Sequence, residues 1–263
     1  MTTASIDLAS TIAAGDLNGA LTAAQAAVRK APADVKPRIA LFQLLCVLGQ
    51  WERAATQLEV VGTLDDAALA MVATYREAIR CEVVRANVYA GKSVPIAFGE
   101  PQPWLAWMVE ALHRDARGES QAASDLRAQA LEAAPTSSGT LDGNRFEWIA
   151  DADTRLGPVI EAIVNGRYVW MPVAALTRVA FEPPVDLRDF VWTAAQFEFV
   201  NGGDAFGLIP TRYAGTETTE RDDLRLARAT DWPADGQGGL GQRLFATDAD
   251  EYSLLDLRDL RID

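Results

Sequence analysis

The side chains that could do chemistry in this 263-residue sequence concentrate in one segment that contains three carboxylates. Glu147, Asp151 and Asp153 stand close together there, with Arg145 and Arg155 on either side. Closely spaced carboxylates can bind a hard cation or take part in acid–base catalysis. The segment lacks, however, the glycine and the closing glutamate of a calcium loop. Because guanidinium groups bond strongly to carboxylates, the flanking arginines favour structural ion pairs over a catalytic or metal site.

The segment Asp186–Asp189 repeats this combination of acidic residues with an arginine, Arg188. Residues 136–263 contain 12 arginines and no lysine. The planar guanidinium group makes forked, partly buried pairs that the ammonium group of lysine cannot make. We therefore interpret the arginines of both segments as structural partners of nearby carboxylates.

Other catalytic or metal-binding patterns are missing from the sequence. The one histidine, His113, falls in a predicted helix, and the two cysteines, Cys46 and Cys81, fall in apolar helical patterns. There is no Cys/His cluster with zinc spacing, no phosphate-binding loop and no Gly-x-Ser-x-Gly motif. We expect no metal, no cofactor and no catalytic residue. The alternative is a hydrolytic or metal-binding enzyme that uses the three carboxylates, and a pocket that holds them unpaired would favour it.

Net charge and apolar patterning argue against several further classes of protein. The formal net charge is −13, which argues against non-specific binding to nucleic acid or to an anionic membrane, since both need a basic surface. The first basic residue is Arg29, so the sequence shows no signal-peptide n-region. Apolar stretches such as Ile39–Leu48 are too short to span a bilayer. Two cysteines are too few for a disulfide framework, and we expect a soluble cytoplasmic protein.

The composition changes near residues 135–140, and this change predicts two domains. Residues 1–135 are rich in Ala and Leu and carry 12 Lys and Arg against 15 Asp and Glu. Residues 136–263 carry 12 Arg against 22 Asp and Glu, and Trp, Gly and Pro interrupt short apolar runs there. We predict a helical domain over 1–135, a linker over 136–140 and an α+β domain over 141–263.

A repeat in the first half predicts pairs of helices. A glycine, two alanines and a proline recur with one spacing at Gly15, Ala20, Ala27 and Pro32 and again at Gly118, Ala123, Ala130 and Pro135. Gly49 follows Gly15 at about 34 residues, which is the tetratricopeptide period. A glycine can end the first helix of a pair without a Cβ clash, and a proline stops the second. We predict about seven helices, stacked as a tetratricopeptide-like α-α superhelix.

The second half predicts antiparallel strands with few helices. Strand-like runs occupy Arg167–Pro172 and Gln196–Val200, and the turn Asn201-Gly202-Gly203 after the second run is a hairpin signal. Asn165-Gly166 is another turn signal, which we interpret as joining a helix-like Pro158–Val164 to a strand. These patterns predict a small antiparallel α+β sheet or partial barrel.

A long motif in the second half resembles a known family. Residues 141–158, Leu-Asp-Gly-Asn-Arg-Phe-Glu-Trp-Ile-Ala-Asp-Ala-Asp-Thr-Arg-Leu-Gly-Pro, are similar to the signature segment of the ImpE family, also called TagJ. Four further stretches resemble that family, namely Asn165–Trp170, Phe181–Pro184 with Asp186–Asp189, Ile209–Tyr213, and Gly241–Arg243 with Thr247-Asp248. The first half matches only in its helical-repeat character. We assign a family-motif or structural role to Asp142, Gly143, Arg145, Glu147, Trp148, Asp151, Asp153, Arg155, Gly157, Asp186, Arg188 and Arg212.

The resemblance implies an accessory protein of the bacterial type VI secretion system, which serves bacterial virulence. Members of the family are cytosolic, have no known enzymatic activity and bind the N-terminal helix of the small sheath subunit, TssB. In some classes of the system this links them to the disassembly ATPase, ClpV. The resemblance therefore implies a sheath-binding adaptor with a TssB-like helix as its partner and an indirect link to a ClpV-type ATPase.

The candidate contacts for such a partner are apolar residues on the predicted helices, because a stack of helix pairs forms a concave surface that can accept an amphipathic helix. Trp104, Trp107 and Met108 share one helix face and are of the types favoured at binding hot spots. Phe42 and Leu45 are similar candidates. The same spacing is also typical of core packing. Two alternatives stay open, an exposed strand edge or the tryptophans of the second half, Trp148, Trp170 and Trp192.

Overall fold

A computed structural model describes residues 8–100, 102–234 and 238–263 of the protein. Seven α-helices occupy its first half, in agreement with the repeat. They are α1 (Leu8–Ala13), α2 (Leu17–Lys30), α3 (Val35–Val47), α4 (Trp51–Leu64), α5 (Leu69–Tyr89), α6 (Pro103–Ala116) and α7 (Ser120–Ala133). A single-turn helix, α8 (Asp222–Arg225), follows in the second half. The first seven residues of the predicted helical domain lie outside the described residues, and no described helix is long and apolar enough to cross a membrane.

Glycines with a left-handed backbone end the first helix of three pairs, α1–α2, α3–α4 and α6–α7. The φ angle is +77° at Gly15, +67° at Gly49 and +76° at Gly118. Glycine enters this region without a Cβ clash, as the repeat predicts. Ala20 is fully buried as expected, whereas Ala27 is exposed and Ala24 takes the buried position instead. Helix α5 has 21 residues and separates the second pair from the third.

Strands of the second half, joined by one from the first, form a large sheet and two small ones. They are β1 (Ile96–Ala97), β2 (Gly139–Leu141), β3 (Asn144–Phe146), β4 (Ile149–Asp151), β5 (Val159–Val164), β6 (Arg167–Pro172), β7 (Leu176–Phe181), β8 (Trp192–Phe199), β9 (Asp204–Pro210), β10 (Thr230–Asp231), β11 (Leu240–Gly241), β12 (Leu244–Thr247), β13 (Glu251–Ser253) and β14 (Asp259–Ile262). The main sheet has the order β1-β6-β5-β9-β8-β7-β14-β2-β3. Its pairs are antiparallel except for β1 with β6. The small sheets have the orders β13-β12-β4 and β10-β11.

Both predicted turns are present in the main sheet and both form hairpins, although the sequence predicts that Asn165-Gly166 joins a helix to a strand. Asn165-Gly166, with φ angles of +49° and +69°, joins β5 to β6, and Asn201–Gly203 joins β8 to β9. The helix predicted over Pro158–Val164 is wrong, because strand β5 occupies this segment. The strand is buried on both faces, so its apolar run lacks the alternation that distinguishes a strand from a helix.

The two halves of the chain share one hydrophobic core. Buried residues of α2–α7 pack with Tyr168, Trp170 and Trp192 on one face of the main sheet, and a second core lies against the other face. Strand β1 comes from the first half, yet it forms an edge of the sheet. Gly139 and Thr140, which were predicted to belong to a linker, lie in β2. The predicted boundary therefore marks a change in composition, but the hydrophobic core extends across it.

Candidate functional site

Charged side chains are buried where helix α5 meets the sheet, and we call Arg85, Asp151, Glu161, Tyr168 and Arg243 the Glu161 network. Glu161 of β5 is fully buried and accepts hydrogen bonds from Arg85 of α5, at 2.7 Å from Nη2 and 3.0 Å from Nε. Arg243, which precedes β12, donates to both Glu161 and Asp151. The hydroxyl of Tyr168 also donates to Glu161. Each carboxylate of the network therefore has a guanidinium partner.

Burial and paired charge act in opposite directions on these two carboxylates. Burial by itself raises the pKa of Glu161, but the guanidinium groups of Arg85 and Arg243 together outweigh it and lower that pKa to about 2. Burial dominates at Asp151 and raises its pKa to about 7; Arg243 opposes this change and Asp153 adds to it. Glu161 is thus the ionised centre that holds two arginines from distant parts of the chain.

The buried carboxylates of the predicted cluster are paired and do not form an open site. Asp153 pairs with Arg155, whose Nη2 lies 2.5 Å from Oδ2, and it also accepts the backbone N–H of Gly239 at 3.1 Å. Asp151 accepts the backbone N–H of Asp153 at 2.8 Å in addition to its bond from Arg243. Neither carboxylate is left unpaired, which removes the observation that the enzyme alternative requires.

Glu147 and Arg145 lie at the surface, away from the buried pairs. The side chain of Glu147 is exposed, and its backbone N–H donates to Asp248 at 2.7 Å. Arg145 pairs with Asp263 at 2.8 Å while 60% of its side chain remains exposed. Arg145 thus has a carboxylate partner, but the pair is exposed, and such pairs add little to stability. Among the described residues, no group of three or more His, Cys, Asp and Glu side chains is arranged to hold a metal ion.

Other residues of the family motif shape the backbone. Asp142 and Gly143, with φ angles of +48° and +85°, form the turn between β2 and β3. The Asp142 carboxylate accepts the backbone N–H of Asp259 at 2.7 Å, which ties this turn to the start of β14. At Gly157, where φ is +58°, a Cβ would lie 2.4 Å from Cδ2 of Leu131 on α7. Glycine at this position allows α7 to approach the sheet closely.

Arg212 joins helix α3 to the second half of the chain. Its guanidinium group is buried and donates to the carbonyl oxygens of Val47 at 2.8 Å, Arg225 at 2.5 Å and Cys46 at 3.4 Å. Val47 is the last residue of α3, where free carbonyls and the helix dipole favour a cation. Burial lowers the pKa of Arg212 to about 10, so the side chain stays charged at neutral pH.

Arg85, Glu161 and Arg243 form the centre of the network, yet sequence patterns do not single out Arg85 or Glu161, and Arg243 appears only within a stretch that resembles the family. One signal was available for Glu161, which is the single charged residue in the apolar run of β5. A charge within a buried run must find a partner, because an isolated ion is very costly to bury. The identity of the partners could not be read from the sequence, since Arg85 and Arg243 lie 76 and 82 positions away.

Most of the predicted partner contacts belong to the core instead. The buried members are Phe42, Leu45, Trp104 and Met108 on the helices and Trp170 and Trp192 on the sheet. The structure corrects their assignment as contacts, because a partner cannot reach side chains that are at most 4% exposed. Trp107 is half-buried against the same core, and Trp148 is 41% exposed. Core packing thus explains the stripe of Trp104 and Met108.

An open groove of about 520 Å³ lies between α5 and the main sheet. We call it the α5 groove, and it is mainly apolar. Its walls include Met71, Tyr75 and Glu77 of α5 and Ile163, Phe206 and Leu208 of the sheet. Glu182 and Arg188 line it as well. The groove therefore adjoins the segments 165–170 and 181–189 that carry part of the family resemblance.

The segment Asp186–Asp189 builds one wall of the α5 groove. Arg188 pairs with Asp186 at 2.7 Å, and its guanidinium carbon lies 4.7 Å from the ring centre of Tyr75 on α5. Asp186 and Asp189 cap the 3₁₀ turn Leu187–Phe190 through reciprocal bonds to the backbone. The Arg–carboxylate pairing predicted for this segment is present, and it holds Arg188 beside α5.

The fold and these contacts define a mixed α/β protein in which a helical half is joined to a largely antiparallel sheet through a buried ion network, with an open groove between α5 and the sheet. The sequence model of the ImpE protein family matches residues 143–261. The chain is 51% identical over 247 residues to the type VI secretion system accessory component TagJ of Pseudomonas aeruginosa, covering 94% of this chain and 88% of that protein. The chain belongs to the ImpE/TagJ family.

A solved structure supports the fold independently. The crystal structure of protein VPA1032 from Vibrio parahaemolyticus superimposes with a TM-score of 0.88 and covers 97% of both chains. The two sequences are 24% identical. The arrangement of helices and sheet is thus shared with a protein of quite different sequence.

Proposed function

We propose that this protein is a non-catalytic, cytoplasmic accessory protein of a type VI secretion system that binds the N-terminal helix of the small, TssB-like sheath subunit. The observation that carries the proposal is the 51% identity, over 94% of the chain, to a protein named as an accessory component of that system. Binding of this helix would serve handling or disassembly of the sheath, with an indirect link to a ClpV-type ATPase.

The contacts of the buried carboxylates support a non-catalytic role. Asp151 and Asp153 are bound by Arg243 and Arg155, and both are almost fully buried. A catalytic carboxylate needs access to a substrate and a proton to exchange with it. The pairing of these residues instead stabilises contacts within the second half of the chain, between the segment 151–155 and Arg243.

The helix pairs support a binding role. Gly15, Gly49 and Gly118 end the first helices of three pairs, as they would in a tetratricopeptide-like stack. Such stacks bind partners through surfaces formed by successive helices. We propose that the pairs form a tetratricopeptide-like α-α superhelix and that its long helix α5 contributes to the surface that receives the sheath helix.

Direct binding of a synthetic sheath peptide tests this function. A fluorescent peptide copying the N-terminal helix of the TssB-like subunit from the same genome should bind the full-length protein saturably, as measured by fluorescence anisotropy. Because we expect buried apolar side chains to supply most of the affinity, binding should persist at high salt. A peptide of the same composition in scrambled order is the control. Equal binding of both peptides, or no binding of either, would show that the sheath helix is not the partner.

A further inference from the structure

We infer that the α5 groove is the docking surface for an amphipathic helix that presents apolar side chains on one face and basic side chains beside them. The inference rests on the proposed function in so far as the sheath-subunit helix is the first occupant to be tested. The groove itself defines the chemistry of the occupant through its floor, its strands and its charges.

The floor of the groove is apolar and largely buried, whereas one edge exposes a large apolar side chain. Ile163 and Leu208 are paired neighbours on β5 and β9 and form part of the floor, and Met71 of α5 faces the same space. Phe206, beside Leu208 on β9, leaves 70% of its ring exposed. An exposed aromatic ring at the edge of an apolar groove is the kind of anchor that buries on binding and supplies much of the affinity.

The strands that line the groove favour a helical partner over an extended one. Strands β5, β9 and β8 are interior strands of the main sheet. Ile163 pairs with Leu208, and β8 pairs with β9 over its whole length from Trp192 to Glu198. A peptide strand needs an unpaired edge to add to a sheet, and the groove presents a sheet face instead. A helix satisfies its own backbone and binds through side chains alone, so it suits this surface.

The charges around the groove favour basic residues on the partner. Glu182 is exposed, and its side chain makes no hydrogen bond or ion pair with another described residue. Glu77 also lines the groove and pairs only at the surface, with Arg80 at 2.9 Å. The positive charge of Arg188 is already paired with Asp186. Because Glu77 and Arg188 are each paired, the charge of Glu182 makes the groove negative, which attracts a basic segment and repels an acidic one.

Affinity measurements on paired variants test the groove. Phe206→Ala should weaken binding of the fluorescent sheath-helix peptide roughly tenfold or more, because the ring is an anchor. Val200→Ala is its control, since Val200 is an equally exposed apolar residue on the β8–β9 hairpin, with 65% exposure, and does not line the groove. Glu182→Lys should weaken binding by several-fold at low salt, whereas Glu220→Lys, an identical charge change elsewhere on the surface, should not. Melting temperatures of all four variants should match the wild type, because these side chains are exposed.

The possible results distinguish a wrong docking surface from a wrong partner. If the peptide binds and both groove variants bind it as tightly as the wild type, the α5 groove is not the docking surface. The proposed function then still stands. If the wild type does not bind the peptide, a random-peptide phage library is selected on the wild type and counter-selected on the Phe206→Ala/Glu182→Lys double variant. Enrichment of sequences with spaced apolar and basic residues then supports the groove with a different partner. If no selected peptide binds the double variant more weakly than the wild type, the inference is overturned.

A second copy of the chain is the competing occupant. Sedimentation velocity would detect this case as a dimer of the wild type that Phe206→Ala converts to a monomer. That result would overturn the inference, because the groove would already be filled by the protein itself. A wild type and variant of the same size, with different peptide affinities, support it.

Discussion

Replacing Glu161 by glutamine should be among the most destabilising conservative changes in this protein. Glu161 is fully buried and binds Arg85, Arg243 and Tyr168. The lowering of its pKa from 4.5 to about 2 corresponds to roughly 3 kcal/mol of stability, at about 1.4 kcal/mol for each pH unit. Removing one partner of a buried ion pair costs about 3–5 kcal/mol in other proteins. We expect Glu161→Gln to cost about 3 kcal/mol, since its amide N–H groups would also face the donors of two arginines.

The effect should depend on pH in one direction. A carboxylate whose pKa is lowered by folding stabilises the folded state above its unfolded pKa and loses this contribution as the pH falls through its folded pKa. The difference in unfolding free energy between the wild type and Glu161→Gln should therefore be largest above about pH 5 and shrink towards pH 2. Asp151, with its pKa raised from 3.8 to about 7, acts in the opposite sense, because its contribution to stability is present at low pH and is lost in both proteins as the pH rises towards 7.

Urea unfolding followed by tryptophan fluorescence measures this difference, since Trp170 and Trp192 are buried in the core next to the network. Glu198→Gln is the matched control, because Glu198 is a strand residue whose pair with Arg178, at 3.3 Å, is exposed. It should cost less than about 1 kcal/mol. A cost below about 1 kcal/mol for Glu161→Gln at pH 7, or a cost that does not change between pH 7 and pH 3, would refute the role given to the network.

Two further predictions concern the arginine anchors and the joint core. Arg155→Ala should lower the unfolding free energy by about 3 kcal/mol, because Asp153 would stay buried without its partner, whereas the exposed Arg145→Ala should cost less than about 1 kcal/mol. If urea unfolding showed the same loss of unfolding free energy for both variants, this prediction would be wrong. Residues 1–135 expressed alone should give a helical circular dichroism spectrum but melt without cooperativity and bind the dye ANS, because the fragment lacks Trp170 and Trp192 of the shared core. A sharp, cooperative melt of the fragment would show that the helical half folds independently.

Local features of this fold could be predicted from the sequence where the local backbone conformation or a nearby charge requires a particular residue type. Gly15, Gly49 and Gly118 take the left-handed backbone that ends a helix, and Asn165-Gly166 takes the left-handed turn of a hairpin. Arg155 and Asp153 are close in the chain, so their pairing follows from spacing. Such predictions succeed because the controlling interaction is local.

The remaining features depend on contacts between distant segments. The apolar run of β5 is compatible with a buried helix or a buried strand, and only its neighbours β6 and β9 decide between them. The spacing of Trp104 and Met108 marks a helix face but not whether that face meets the core or a partner. The α5 groove was not predictable, because its walls come from α5, β9 and the segment 182–188. Spacing along the sequence does not show which distant segments contact one another in the fold.

Strand β14 has a consequence for how the chain folds during synthesis. It lies between β7 and β2, pairing Leu260 with Val179 on one side and Leu141 on the other. The hairpin β2–β3 therefore has no place in the sheet until residues 259–262 have been made. Contacts between such distant positions, like that of Ser138 with Asp263 across 125 positions, slow folding. Until then β7 and β2 present unpaired edges that can recruit other chains, so the nascent protein remains open to aggregation until its last strand is in place.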